Sequence, residues 1–182
     1  MRILILLIAV VSFSIQAQNI TVSSGKSFTV EKAGSVQIYG DLTNNGTFTL
    51  NSGSNEFASL IVDSDNNGSG SNSTPIVYNR FVNEVGAGEW DLIGAPLDVQ
   101  SISSFVSTNT AGVATLATNS DYYALGTYDS SDDTWTNYTT SSVSGIGNFD
   151  IGQGYQAGTV SGGTGLLKFT GTAAAADQTQ AV

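Results

Sequence analysis

Residues Ile20–Leu50 read I-T-V-S-S-G-K-S-F-T-V-E-K-A-G-S-V-Q-I-Y-G-D-L-T-N-N-G-T-F-T-L, and this stretch decides the fold class. The runs I-T-V from Ile20, S-F-T-V from Ser27, S-V-Q-I from Ser35 and F-T-L from Phe48 alternate apolar with polar or β-branched residues. That is the two-residue period of a half-buried strand. S-L-I-V from Ser59 continues the series. The connectors are Gly, Asn and Ser turns such as N-N-G and N-S-G, residue types that can supply positive φ where a tight reversal needs it. Runs this short, spaced by about eight and then about twelve residues, fit a small β-solenoid or a meander over residues 18–62.

Composition supports an all-β chain and narrows its chemistry. Hydrophobic residues make up 40% of the 182, enough for a core, and the 21 glycines suit a fold rich in turns. No window of helical length shows a good period of 3.6. Histidine and cysteine are both absent. A Ser-His-Asp triad, a Cys nucleophile, a His or thiolate zinc site and a disulfide framework are therefore excluded. The remaining metal ligands are oxygens, which favour a hard ion such as calcium. Fifteen acidic residues against five basic ones give a formal charge of −10, so the chain repels phosphates and is a poor nucleic-acid binder.

Residues 1–17, M-R-I-L-I-L-L-I-A-V-V-S-F-S-I-Q-A, have one positive charge, an apolar run and a small residue at the end. They read as a secretory signal peptide cut between Ala17 and Gln18. The apolar run is far shorter than the ~20 residues a membrane span needs. The expected address is extracellular or on the outer cell surface, with no span left after cleavage. Residues 63–75, D-S-D-N-N-G-S-G-S-N-S-T-P, read as a linker. From residue 76 to 182 the strand pattern returns. I-V-Y-N-R-F-V from Ile76, a hairpin from residues 121–129 and 133–139, and runs at 148–158 and 165–171 predict an antiparallel β-sandwich. A short helix is expected at Val99–Val106. The last residues fit no closed β-fold, so the sandwich is expected to be incomplete at its C-terminus.

Four groups of residues carry a family resemblance. They are Y-N-R-F at Tyr78–Phe81 with E-W-D-L-I-G-A-P-L at Glu89–Leu97, and Y-A-L-G-T-Y-D followed by W-T-N-Y within Tyr123–Tyr138. F-D-I-G-Q-G-Y at Phe149–Tyr155 and L-K-F-T-G at Leu167–Gly171 complete the set. Preceded by rungs of the kind at Ile20–Leu50, they resemble the N-terminal region of large secreted surface proteins of Bacteroidetes-type bacteria. The resemblance implies export by the general secretory route and then by the type IX machinery. Such proteins end in a C-terminal sorting domain, which this sequence does not contain, so the expectation is the N-terminal part of a longer protein. The motifs are architectural and imply no activity.

Several residue groups could carry chemistry. Asp63, Asp65 and Asn67 with Gly68 match the first half of a calcium loop, but Thr74 stands where the bidentate Glu belongs. A flexible Asp/Asn/Gly linker explains them as well. Asp129, Asp132 and Asp133 cluster at the hairpin tip, where turn chemistry accounts for them. Glu84, Glu89 and Asp91 flank Trp90, and paired carboxylates beside an aromatic suggest glycoside hydrolysis. Strand-face and turn roles for the acids, with Trp90 in the core, explain the same residues without catalysis. Trp90, Tyr123, Tyr128, Trp135, Tyr138 and Tyr155, with Tyr122, could instead form an aromatic platform for sugar rings. The sequence thus points to a non-enzymatic, structural or adhesion-type surface protein without a cofactor. A carbohydrate-binding module for extracellular polysaccharide is the alternative.

Overall fold

The computed structural model describes residues 14–62, 74–87, 89–111 and 115–173. The chain is mostly β, with one α-helix among the described residues and several sheets, none of them closed. Its first strands are β1 (Ser14–Ala17), β2 (Ile20–Val22), β3 (Ser27–Val30), β4 (Ser35–Ile38), β5 (Leu42–Asn44) and β6 (Thr47–Asn51). Sequence neighbours do not pair here. Each strand instead lies parallel to the third one after it: β1 to β4, β2 to β5 and β3 to β6. The chain therefore returns beside itself after 21, 22 and 20 residues, from Ser14 to Ser35, Ile20 to Leu42 and Ser27 to Thr47. β7 (Ser59–Val62) extends the β1–β4 sheet, and β8 (Ile76–Phe81) extends the β3–β6 sheet, both in parallel.

The repeated runs explain this register. Stacking like residues keeps one face apolar throughout, so Val36, Ile38, Leu42, Phe48 and Leu50 are all buried and alternate with outward polar residues. Phe28 lies beside Phe48, ring centroids 5.0 Å apart. At the corners the stacked backbones come very close. A Cβ on Gly46 would run into the carbonyl oxygens of Lys26 and Ser23, so the N-N-G turn needs its glycine for space. Asn44, fully buried, gives its amide to the Thr74 carbonyl at 3.0 Å and so ties residue 74 onto the β2–β5 stack. Ser14–Ala17, the last four residues of the expected signal peptide, form β1; a cut after Ala17 detaches that strand.

β8 has two partners. On one side it runs parallel to β6, and on the other antiparallel to β13 (Leu166–Gly171), over six residue pairs from Leu166↔Phe81 to Gly171↔Ile76. One sheet, ordered β13-β8-β6-β3, is thus built from residues on both sides of the 63–75 segment. A second four-stranded sheet is wholly antiparallel. It comprises β9 (Asp91–Gly94), β10 (Tyr122–Asp129), β11 (Thr134–Thr139) and β12 (Gly154–Ala157), in the order β11-β10-β12-β9.

The helix α1 spans Ile102–Thr110, beginning later and running further than the sequence suggests. Ser101 caps it, its hydroxyl accepting from the Ser104 N–H at 3.1 Å. Ile102, Phe105, Val106 and Asn109 are its buried face, the i, i+3, i+4, i+7 stripe. Phe105 packs on Phe169 of β13 and edge-on to Phe149, which in turn meets Tyr155 of β12. This aromatic cluster joins helix and both four-stranded sheets into one core. Burying each such ring contributes about 1.5–3 kcal/mol. The free edge of β13 is not left bare. Asn109 Oδ1 accepts from the Lys168 N–H at 2.7 Å and Asn109 Nδ2 donates to the Lys168 carbonyl at 3.0 Å. Gln100 Oε1 accepts from the Thr170 N–H at 3.1 Å. Side-chain amides thereby take the positions a further strand would occupy and block edge pairing.

Candidate functional site

The second sheet has an inner and an outer face, and register decides which aromatics reach each. Thr127 is opposite Tyr155, and Leu125 is opposite Ala157. Leu125, Tyr155 and Ala157 are buried, so this phase of the pleat faces the core. The other phase faces out. There, one straight row crosses all four strands: Asn137, Gly126, Gln156 and Leu92 are successive cross-strand partners. Gln156 Nε2 donates to Asn137 Oδ1 at 2.5 Å, reaching over Gly126 between them. A Cβ on Gly126 would run into the Thr136 carbonyl oxygen and come within 2.7 Å of Asn137 Oδ1, so only glycine lets this bridge lie flat.

Tyr128 and Trp135 form the adjacent pair, partners across the hairpin with ring centroids 5.2 Å apart. The Tyr128 hydroxyl donates to Asp133 Oδ1, and this bond is the main reason its pKa is raised. Asp129 accepts from the Ser131 hydroxyl and N–H, which lowers its pKa, and Asp132 accepts from the Thr134 hydroxyl. The hairpin-tip carboxylates are thus engaged in shaping the turn, and Asp133 sits at a positive φ of 58°. At the other end of the sheet, Trp90, Tyr122, Tyr123, Asn119 and Asn137 line an open cleft of about 360 Å³.

The six aromatics expected to form a platform therefore divide. Trp90, Tyr128 and Trp135 are exposed at this outer face, and Tyr122 joins them. Tyr155 belongs to the interior instead: it is 2% exposed, and its hydroxyl accepts from the Asp150 N–H at 2.8 Å. Tyr123 and Tyr138 are half-buried and pack against the core. Burial, with smaller contributions from Tyr155 and Asp150, raises the Tyr138 phenol from 10.0 to about 12. Tyr138 and Tyr155, with Thr127, Asp129, Asn148 and Asp150, border a second, more polar hollow of about 400 Å³ beside the start of α1. Leu92, Gly126, Asn137 and Gln156 are not legible as site residues in the sequence. The alternation of D-L-I-G and G-Y-Q-A carries them, but it does not give their phase.

The remaining candidates are placed as follows. Asp91 accepts from both the backbone and the side-chain amide of Asn83, each at 2.8 Å, and Glu84 accepts from the Gly162 N–H at 3.0 Å. Both fasten loops. Asp63, Asp65 and Asn67 lie outside the described residues, and among the described residues no cluster of three or more acidic groups is placed to hold a metal ion. No described helix is long and apolar enough to cross a membrane. No family model, curated protein or solved structure matches the chain.

Proposed function

We propose that this protein is an exported, non-enzymatic surface protein that adheres to extracellular polysaccharide through the outer face of the β11-β10-β12-β9 sheet. In this reading the parallel strands β2 to β8 that remain after cleavage are a short three-faced solenoid, whose β3-β6-β8 face continues into β13 and packs with α1 and the β11-β10-β12-β9 sheet as a sandwich. Export follows the signal peptide at 1–17 and the type IX route that the family resemblance implies.

One observation carries the adhesive reading. Of the eight large hydrophobic side chains exposed among the described residues, five gather at this one face and its cleft: Trp90, Leu92, Tyr122, Tyr128 and Trp135. Single exposed apolar residues are ordinary on any protein, whereas several sharing one sheet face favour a binding surface. Flat aromatic rings beside amide groups suit sugars, which present apolar C–H faces and hydroxyl edges. The sheet supplies a rigid floor for such a site.

The test is retention on insoluble polysaccharide. The wild-type chain is expected to be retained, and Trp135→Ala to weaken binding about thirtyfold, the loss of about 2 kcal/mol typical of an aromatic anchor. Trp135 is 42% exposed, so the variant is expected to keep the core intact. Equal retention of wild type and of a Trp90→Ala, Trp135→Ala double variant on every glycan would end this reading.

A further inference from the structure

Resting on the polysaccharide reading above, we infer that the ligand of this face is a neutral polysaccharide, and that polyanionic glycans are rejected. The reason is the placement of charge. Between Arg80 and Lys168 the chain contains no lysine or arginine at all. The whole aromatic face, its cleft and the polar hollow come from that interval. Over the same residues stand nine carboxylates: Glu84, Glu89, Asp91, Asp98, Asp121, Asp129, Asp132, Asp133 and Asp150.

Among the described residues, the cations are built into other elements. Lys32 pairs with Glu56 at 3.2 Å, and the Arg80 guanidinium lies over the Phe57 ring at 3.9 Å. Lys26 lies in the turn before β3 and Lys168 on β13, neither of them in the sheet that bears the aromatics. A uronate or sulfate chain laid across the outer face would meet no counter-charge and would approach Asp132 and Asp133 at the hairpin tip. Like charges so placed repel within a Debye length, about 10 Å at 0.1 M salt.

What the face offers in place of charge is amide chemistry. Asn137 and Gln156 stand in the central row, and Asn119 lines the cleft. Each amide both donates and accepts, which matches a hydroxyl and has no preference for an anion. Apolar rings with neutral amides between them form a surface complementary to uncharged hexose chains.

The experiment compares cellulose with immobilised polygalacturonate as probes for the full chain, at low salt and at about 0.5 M salt, where charge interactions are largely screened. Expected are retention on cellulose that salt leaves unchanged and binding to polygalacturonate at least about tenfold weaker at low salt. Leu92 is 70% exposed on this face, and Leu92→Lys is expected to gain salt-sensitive binding to polygalacturonate. Polygalacturonate held as tightly as cellulose at low salt overturns the inference while leaving the glycan reading intact. Retention on neither polymer, nor on any other neutral glycan, overturns both.

Discussion

Replacing Gly126 by alanine tests the outer face more sharply than removing any aromatic, because two opposed effects predict opposite signs. In an open strand position, Gly→Ala stabilises by about 0.4–1 kcal/mol, chiefly by restricting the unfolded chain. At Gly126 the added methyl meets the Thr136 carbonyl and the Asn137 side chain instead. Overpacking of that kind costs about 1–3 kcal/mol. Displacing Asn137 also breaks its bond from Gln156, about a further 1 kcal/mol. Taking about 2 for the clash and 1 for the bond, less 0.5 for chain entropy, the net loss is about 2.5 kcal/mol. With a urea slope of about 2 kcal/mol/M, the unfolding midpoint falls by about 1.2 M. Gly154 is the control: it lies in the same sheet, and a Cβ there meets nothing within 4 Å. Gly154→Ala is expected to raise the midpoint by about 0.3 M. A Gly126→Ala midpoint at or above wild type would show that Asn137 and β11 do not close over Gly126, and the flat central row would be wrong.

Other outcomes follow from the core and from the tyrosines. Phe105 is wholly buried against Phe149 and Phe169, so Phe105→Ala is expected to cost about 3–5 kcal/mol by urea unfolding. A loss below about 1 kcal/mol would mean that α1 does not plug the core. The Tyr138 phenol titrates near 10.0 when unfolded and near 12 when folded, because burial opposes its charged form. Its contribution to stability is therefore complete below pH 10 and lost as pH rises toward 12. Melting temperature measured across that range should fall, and less steeply in Tyr138→Phe; identical slopes would contradict the buried placement.

Much of the strand content is legible in the sequence, and the places where reading fails have physical reasons. Alternation in S-F-T-V and F-T-L announces strands and a buried face, but it does not say which strand lies beside which. The parallel stack is written in a longer period, the 20 residues from Phe28 and Thr29 to their partners Phe48 and Thr49. The helix is obscured by composition. Ser103, Ser104, Ser107, Thr108 and Thr110 are indifferent helix formers, and the fourth position of the apolar stripe is Asn109. Tertiary packing overrides that propensity, and Asn109 is buried because it serves the edge of β13. At the aromatic face, Tyr128 and Tyr155 look alike in sequence. Only the pairing of Thr127 with Tyr155 sets one outward and the other inward.

The strand β8 has a mechanical consequence. It is held on one side by β6, with Asn79 Nδ2 also bonded to Asn51 Oδ1 at 2.9 Å, and on the other by β13. A tug along the strand direction loads those hydrogen bonds side by side, in shear, so they share the force and must yield together. Residues on both sides of the 63–75 segment are thus tied side by side in one sheet. A pull entering through the early strands reaches β13 across two ladders of one continuous sheet.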